Sequence, residues 1–215
     1  MRGMPQPRIA RSQRRDQLVA AALDVAEREG VPAMSVRRVA EAANVSLGLV
    51  HYCFTDKDDL VAAVASRIVE ELEAAGVGAL VDVGAGSLGD ALRAGVRGLW
   101  ASLSANRSRQ LVTYEITTHA LRQEGLHDVA VAQYRVSEGA VSAFLLHAAM
   151  TTGHHWTRPV EDLAGTTLAL IDGVTLRWLV DGDDEGALAR LDAFADALLC
   201  DACEDPLARP AAGDA

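Results

Sequence analysis

The stretch SVRRVAEAANVSLGLVHYCF, residues 35–54, predicts two short helices joined by a tight turn. Ser35 fits an N-cap, because its hydroxyl can accept a hydrogen bond from a free amide of the next turn. Asn44 suits the left-handed turn that follows, since asparagine tolerates a positive φ better than most residues. Ser46 is the next predicted N-cap, for a helix of about two turns that ends near Phe54. This is the outline of a helix-turn-helix, in which the second helix enters the DNA major groove. The outline alone leaves DNA binding open, because many helical proteins contain such corners.

The sequence around this stretch favours helix almost throughout. A first helix is predicted from Asp16 to Glu29, with Leu18, Ala22 and Val25 on its buried face and Gly30 as its stop. No proline occurs between Ala33 and Arg158, and Ala, Leu, Val, Arg and Glu dominate. Glycine, proline and asparagine breaks divide the chain into about nine helices. The fold class predicted is therefore all-α, with an N-terminal three-helix helix-turn-helix domain at residues 16–60 and a larger helical ligand-binding and dimerisation domain at 61–215.

Charge is distributed unevenly along the chain. The net charge is -10, but residues 1–60 carry nine Arg or Lys against eight Asp or Glu. The remaining residues carry eleven against twenty-two, so the acidity belongs to the larger domain. The first fifteen residues hold five arginines and no acid, which predicts a flexible basic arm at 1–15 that orders on a polyanion. A solvated tail without a role is the alternative.

Membrane, cofactor and catalytic signals are weak in this sequence. The apolar runs are short and the N-terminus lacks a signal peptide, so we expect a cytoplasmic protein with no membrane partner. Cys200 and Cys203 match CxxC near a predicted helix end, but no second pair completes a zinc site. His154 and His155 lack further ligands at a suggestive spacing and predict a solvated loop. We expect no metal and no cofactor, and no catalytic motif points to an enzyme.

The segment from Leu18 to Leu60, LVAAALDVAEREGVPAMSVRRVAEAANVSLGLVHYCFTDKDDL, resembles the DNA-binding domain of the TetR family of transcriptional regulators. The matches include Ala21-Ala22-Leu23, the Gly30 stop, Ser35-Val36, Val45-Ser46-Leu47-Gly48, and Phe54 followed by Lys57 and Leu60. Further along the chain, Ile171-Asp172-Gly173 followed by Trp178-Leu179 also matches many members. The resemblance implies a ligand-responsive regulator that binds DNA through this segment.

The resemblance also implies which residues meet DNA. Residues at the start of helix two and the lysine at the start of helix four would lie beside the phosphates, and the face from Ser46 to Cys53 would read the groove. Leu47, Leu49 and His51 offer side chains for base edges or thymine methyls, and Gly48 permits close approach. The predicted DNA contacts are Ser35, Arg37, Arg38, Ser46, Leu47, Gly48, Leu49, His51, Tyr52 and Lys57. Ordinary packing is the alternative for Leu47, Leu49 and His51.

Three positions depart from the family pattern. Members commonly have a tyrosine where His51 stands, an aromatic residue at Cys53 and a glycine at Asn44. The fold tolerates all three, but the operator sequence and the strength of contact do not transfer.

The last two predicted helices carry matching apolar stripes. The first lies within Asp162–Val180 at Leu163, Leu170, Ile171, Val174, Trp178 and Leu179, and the second at Leu188, Leu191, Phe194, Ala195, Leu198 and Leu199. They predict a homodimer through a four-helix bundle. The alternative is that both stripes face the domain's own core. A dimer also suits a palindromic site read by two helices about one DNA turn apart.

Aromatic and polar residues on helices five to eight predict a small-molecule site. They are Trp100, Tyr114, Glu115, Thr118, Tyr134, Phe144, His147 and Trp178. Glu115 near Tyr114 and Trp100 would suit a cationic or hydrogen-bonding aromatic ligand. Core packing is the alternative for each residue taken singly. Helix four, about Lys57 to Ala75, would link the DNA-binding domain to this site as a rigid lever.

Together these features predict a sequence-specific repressor that a small-molecule effector releases from palindromic operator DNA. One alternative is a helical carrier or enzyme that uses Glu115, His119 and His147 and binds no specific DNA. Another is a nucleoid-type binder without a ligand, with weak sequence discrimination and a large salt dependence. Activation instead of repression also stays open, because promoter geometry decides it.

Overall fold

The computed structural model describes residues 11–79 and 86–204, and within these ranges the predicted all-α fold is confirmed. The nine α-helices of the described part are α1 (Arg11–Glu29), α2 (Val36–Ala42), α3 (Leu47–Cys53), α4 (Lys57–Ala79), α5 (Leu88–Ser104), α6 (Arg107–Ala120), α7 (His127–Thr151), α8 (Val160–Asp181) and α9 (Asp184–Leu198). Single 3-10 turns cover Val31–Ala33, Glu124–Leu126 and Leu199–Asp201.

One compact unit holds α1 to α3, the start of α4 and residues 111–130. The predicted caps and turns form here: the Ser35 hydroxyl accepts from the Arg38 N–H, and Asn44 has a φ of 52°. Ser46 stands at the predicted N-cap of α3, but its side chain makes no capping hydrogen bond. The centre is apolar and fully buried, with Leu18, Val39 and Val50 inside. The sequence chemistry of residues 35–54 therefore produces the expected helix-turn-helix.

Helix α1 begins five residues before the predicted Asp16. Residues 11–15, expected to form the end of a flexible arm, continue the helix and bring three arginines onto it. The rest of the predicted arm, residues 1–10, lies outside the described residues.

The second compact unit contains residues 69–110 and the chain from Val131 onward. Its core joins α5, α7, α8 and α9, and the rings of Trp100 and Trp178 meet edge to face, with centroids 5.2 Å apart. Both stripes quoted for α8 and α9 contribute to this core: Leu163, Val174 and Leu191 are buried within it. The alternative that the stripes face their own domain therefore holds for the buried members of both, whereas Leu199 is exposed.

The expectation of a solvated loop at the paired histidines is wrong. His154–Trp156 forms strand β1, which pairs antiparallel with β2 (Ala202–Glu204) so that His155 lies opposite Cys203. Two contacts explain the strand. The Trp156 ring packs against the core, and its Nε1 donates to the Leu145 carbonyl at 2.9 Å. The backbone N–H of Thr157 donates to the Asp201 carbonyl at 2.8 Å.

Candidate nucleic-acid interface

Helix α3 has one buried and one open face. Val50 and Cys53 point inward and are 0% and 3% exposed. Leu47 is 45% exposed and Tyr52 is 61% exposed, on the opposite side. Gly48 and His51 share this open side, and a Cβ at Gly48 would meet no atom of another described segment within 4 Å. Among the residues predicted to read the groove, Leu49 is the one that is half-buried. It lies toward the core side of the helix. The open face therefore combines an apolar side chain, an imidazole, a phenol and unobstructed backbone.

Arg15 fastens the end of α3 to its surroundings. Its Nη1 donates to the Cys53 carbonyl at 2.7 Å, and its Nη2 donates to Asp59 Oδ1 at 3.0 Å. The guanidinium also lies 4.3 Å from the centroid of the Phe54 ring. A carbonyl left free at a helix C-terminus thus receives a charged donor.

The carboxylate of Asp59 is held in its charged form. Burial alone would raise the pKa of Asp59, but the Thr55 N–H and the Arg15 guanidinium outweigh burial and hold this pKa below its ordinary value. The link between α1 and α4 is therefore a charge-assisted one.

Arg11 places a cation beside the open face of α3. Its guanidinium lies 5.0 Å from the centroid of the Tyr52 ring, and its Nη2 donates to the Tyr52 carbonyl at 3.3 Å. Arg14 lies between Arg11 and Arg15 in the sequence. It donates to Gln17 on its own helix and not to α3 or α4. Sequence reasoning placed Arg11 and Arg15 in the basic arm that orders on a polyanion, and not on a helix beside α3. The available signal was their four-residue spacing, which continues the helix toward the N-terminus.

The two adjacent arginines of α2 have different surroundings. Arg38 Nη2 donates to Glu29 Oε1 at 2.6 Å, and its Nε contacts both oxygens of the same carboxylate. This hydrogen bond holds the pKa of the Glu29 carboxyl below its ordinary value. Among the described residues, Arg37 pairs with Glu41, one turn along its own helix, and its side chain is 84% exposed. Arg38 thus joins α2 to α1, whereas Arg37 faces solvent.

Lys57, at the start of α4, donates from Nζ to the Pro32 carbonyl at 3.2 Å. It is the single lysine among the 215 residues. This contact places an ammonium group next to the turn that precedes α2, where Ser35 caps the helix.

The predicted effector residues fall into two separate groups. Trp100, Tyr134, Phe144, His147 and Trp178 belong to the second compact unit. Tyr114, Glu115 and Thr118 belong to the first, on α6. There the Thr118 hydroxyl donates to the Tyr114 carbonyl, and Glu115 accepts a hydrogen bond from the Val31 N–H at 2.6 Å.

Within the second unit, the aromatic residues are packed tightly. Phe144 of α7 fills a notch at Gly95 of α5, where a Cβ would overlap its ring. The guanidinium of Arg107 lies 5.8 Å from the Trp178 centroid and donates to the Leu179 carbonyl. Two cavities lie elsewhere in the described part of the chain. One, of about 360 Å³, is lined by residues that include Asp56 and Gln123. The other, of about 390 Å³, is lined by residues that include Met150 and Trp156.

Tyr134 and Asp172 form a polar pair between α7 and α8. The Tyr134 hydroxyl donates to Asp172 Oδ2 at 2.8 Å. Burial, together with the neighbouring carboxylate, raises the pKa of Tyr134 to about 12. Asp172 is the sole charged residue between Leu163 and Leu176. Across the described part of the chain, no cluster of three or more His, Cys, Asp or Glu could hold a metal ion.

Residues 18–64 match the family model described as bacterial regulatory proteins, tetR family. Over 192 residues the chain is 30% identical to the HTH-type nicotine-responsive transcriptional repressor HdnoR of Paenarthrobacter nicotinovorans, covering 89% of this chain and 97% of the relative.

Solved structures show the same architecture. A transcriptional regulator from Rhodococcus sp. Rha1 superposes with a TM-score of 0.68 at 25% identity, over 87% of this chain and 97% of its own. The multidrug binding protein EbrR, solved in complex with ethidium, gives a TM-score of 0.63 at 28% identity over 86% and 98%. EbrR has also been solved with imidazole.

Proposed function

The chain belongs to the TetR family of bacterial regulators, and we propose that it is a repressor that binds a palindromic operator as a dimer and leaves it when an effector binds. The open face of α3 carries this proposal. Its buried side is filled by Val50 and Cys53, so the exposed Leu47, Gly48 and His51 have no packing role that accounts for their position. A bacterial regulator that binds DNA would act in the cytoplasm.

DNA recognition divides between two sets of residues in this proposal. Arg11, Arg37 and Lys57 supply attraction to phosphates, which is independent of sequence and weakens with salt. Leu47 contacts thymine methyls, and the His51 imidazole donates to acceptors on purine edges in the major groove. Ser35, Ser46, Leu49 and Tyr52 complete the interface predicted from sequence, while Arg38 serves it by holding α2 to α1.

Dimerisation uses a surface of α8 and α9 different from the quoted stripes. On α8 the exposed positions Thr166, Ala169, Gly173, Leu176 and Val180 recur at intervals of three and four residues. Leu176 is 51% exposed and Val180 is 82% exposed, which leaves an apolar surface uncovered in a single chain. On α9, Ala189, Ala193 and Ala197 are exposed at the same spacing and allow close helix approach.

The composition of α8 agrees with two apolar faces. Among the described helices it is the one long and apolar enough to cross a membrane by length and composition alone, yet only 39% of its most apolar 18-residue stretch is buried within the chain. Core packing accounts for the buried part. A four-helix bundle with a second copy accounts for the rest, and regulators of this family act as dimers.

The effector proposed is a cationic or hydrogen-bonding nitrogen heterocycle. HdnoR is named as nicotine-responsive, and EbrR was solved with ethidium and with imidazole. In this chain Asp172 supplies the carboxylate, and Tyr134, Phe144, His147, Trp100 and Trp178 supply the aromatic and polar surroundings in the second unit. Glu115 and the neighbouring Tyr114 and Thr118, proposed from sequence for the same role, lie in the first unit, where Glu115 already has a backbone partner.

Release follows from differential affinity. An effector that binds better to a dimer whose recognition helices are wrongly spaced shifts the population away from the DNA-bound form. Phe144 in its notch at Gly95 fills space that a ring-shaped effector would need, so binding requires this side chain to move. The predicted lever, helix α4, extends from Lys57 to Ala79.

Selection from a pool of random duplex DNA, followed by sequencing of the retained fraction, tests the proposal. We expect a palindrome whose half-sites lie about one helical turn apart. Ethidium and nicotine, added to the complex formed on a fluorescently labelled copy of this palindrome, would then identify an effector by release. Ethidium intercalates, so its effect is measured against the same titration of an unrelated protein–DNA complex. Recovery of no motif would instead favour the carrier or the nucleoid-type binder.

A further inference from the structure

Glu115 of α6 contacts the turn that leads into the DNA-binding helices. Its Oε2 accepts a hydrogen bond from the Val31 N–H at 2.6 Å, across 84 positions of sequence. The side chain is half-buried, and the helix beneath it is anchored by Val112 and Ile116, which are each 2% exposed. A charged acceptor on an N–H donor is among the stronger hydrogen bonds of a folded protein.

The turn needs this external acceptor. Gly30 precedes the 3-10 turn Val31–Ala33 with a φ of 84°, in the region that favours glycine, and it has no side chain to cap the free N–H groups. A Cβ at Gly30 would lie 3.5 Å from Glu115 Oε2, so the carboxylate sits directly against the turn. On the other side, the Pro32 carbonyl accepts from Lys57. The turn is therefore held through both a donor and an acceptor.

A second contact lies one helical turn further along α6. His119 Nε2 is buried and lies 3.6 Å from Asp58 Oδ1, just beyond hydrogen-bond distance. Asp58 is in the first turn of α4, next to Lys57. Residues 115 and 119 share one face of α6, because residues four apart lie one above the other. This face thus contacts the segments immediately before α2 and immediately after α3.

We propose that Glu115 is a positioning residue for DNA recognition, which holds the turn at Gly30–Val31 so that α2 and α3 present their reading face correctly. The inference rests on the proposed function and deepens it. It assigns to α6 a direct part in the geometry of the DNA-binding unit, although the residue touches no DNA. The described hydrogen bond of the Glu115 carboxylate is to the Val31 N–H, so a positioning effect on operator binding acts through the turn.

The direction of the change in DNA affinity distinguishes a loss of positioning from a loss of charge. Replacing Glu115 with alanine removes one negative charge, which by electrostatics alone would strengthen binding to any DNA. Loss of positioning instead weakens binding to the selected operator and leaves binding to a scrambled duplex unchanged or slightly stronger. Glu115→Gln keeps an oxygen acceptor in place without the charge, so it should restore most of the operator affinity.

The experiment compares the full-length wild type, E115A, E115Q and the control E138A by fluorescence anisotropy on both duplexes at one salt concentration. Glu138 is an exposed glutamate of α7, so E138A makes the same change in net charge away from the turn. We expect E115A to lose about tenfold in operator affinity, the scale of one hydrogen bond to a charged group. E115Q should recover within about threefold of wild type, and E138A should match wild type or bind both duplexes slightly more tightly.

Amide hydrogen exchange provides a readout that needs no DNA. The Val31 N–H should exchange faster in E115A than in wild type and recover protection in E115Q, with an unchanged helical circular dichroism spectrum in all variants. Equal operator affinity in E115A and wild type would overturn the inference while the proposed function stands. Equal affinity of the wild type for operator and scrambled duplex would overturn the proposed function, and this inference with it.

Discussion

Arg15 Nη2 lies 3.0 Å from Asp59 Oδ1, so α1 is bonded to the first turn of α4 at the point where α3 ends. The same guanidinium donates to the Cys53 carbonyl. An arginine expected in a flexible arm is therefore part of the framework that fixes the last turn of α3.

Removing the carboxylate should destabilise the protein in a pH-dependent way. We expect Asp59→Asn to lower the free energy of unfolding in urea by about 1 kcal/mol at pH 7, after allowance for the partial exposure of the pair. The pKa of Asp59 is depressed below its ordinary 3.8, so its contribution is present above pH 3.8 and is lost as the pH falls through the folded-state value. The wild type and the variant should therefore converge in strong acid. Asp16→Asn, an exposed carboxylate of α1, is the control and should change little.

The two arginines of α2 should have separable effects. Arg37→Ala should weaken binding to operator and scrambled DNA alike and reduce the salt slope by about 0.9, as expected for one lost phosphate contact. Arg38→Ala should lower the melting temperature, because Glu29 loses its partner. Thermal melts and anisotropy at several salt concentrations measure both, with the exposed Arg135→Ala as control. Identical behaviour of R37A and R38A would contradict the distinction drawn from their contacts.

Side chains on the open face of α3 should determine sequence preference without supporting the fold. We expect Leu47→Ala and His51→Ala each to reduce operator affinity roughly tenfold while affinity for scrambled duplex stays the same. Leu146→Ala, which shortens an exposed leucine of α7, is the matched control. A lower melting temperature in L47A or H51A would show that these side chains stabilise the fold by packing, which is the alternative left open by the sequence.

A charge on the exposed stripe of α8 should separate the dimer. Sedimentation of the wild type at micromolar concentration should give about twice the 22.7 kDa mass of one chain. Val180→Glu should give a single chain and weaken binding to the palindrome far more than binding to one half-site. Leu146→Glu introduces the same charge on an exposed apolar residue of α7 and should leave the dimer intact. A monomeric wild type would exclude the bundle proposed here.

Neutralising Asp172 should reduce the affinity for cationic effectors. We expect Asp172→Asn to bind ethidium at least about tenfold more weakly than wild type, because one close charge pair is lost in a partly desolvated site. Quenching of tryptophan fluorescence measures binding directly, since Trp100 and Trp178 lie in the same core as the proposed site. Glu138→Gln is the control for net charge. Unchanged affinity in D172N would place the cation elsewhere.

The sequence predicted best what local chemistry decides. The Ser35 cap and the positive φ of Asn44 each depend on residues within one turn of the chain. Long-range partners were not predictable in this way. Strand β1 pairs with β2, which lies 46 or more positions further along the chain. Glu115 accepts its hydrogen bond from Val31, 84 positions earlier. Nothing in the residues nearby indicates either partner.

Helix α8 shows why periodicity alone could not locate the dimer surface. Val174 and Trp178 are buried in the core, whereas Leu176 and Val180 are exposed, and both pairs are apolar. A helix with apolar residues on two faces gives no sequence signal for which face is covered by its own domain. The same ambiguity affected Leu47 and Leu49 on α3, where the structure exposes the first and half-buries the second.

Sequence reading by α3 is tested most directly by a competition between the selected operator and a scrambled duplex of equal length. Anisotropy at about 0.15 M salt should give the wild type at least about a thousandfold preference for the operator, in the usual range for a specific regulator. L47A and H51A should each lose about a factor of ten of that preference. Equal affinity of the wild type for both duplexes, falling steeply with salt, would contradict the account and indicate binding through phosphates alone.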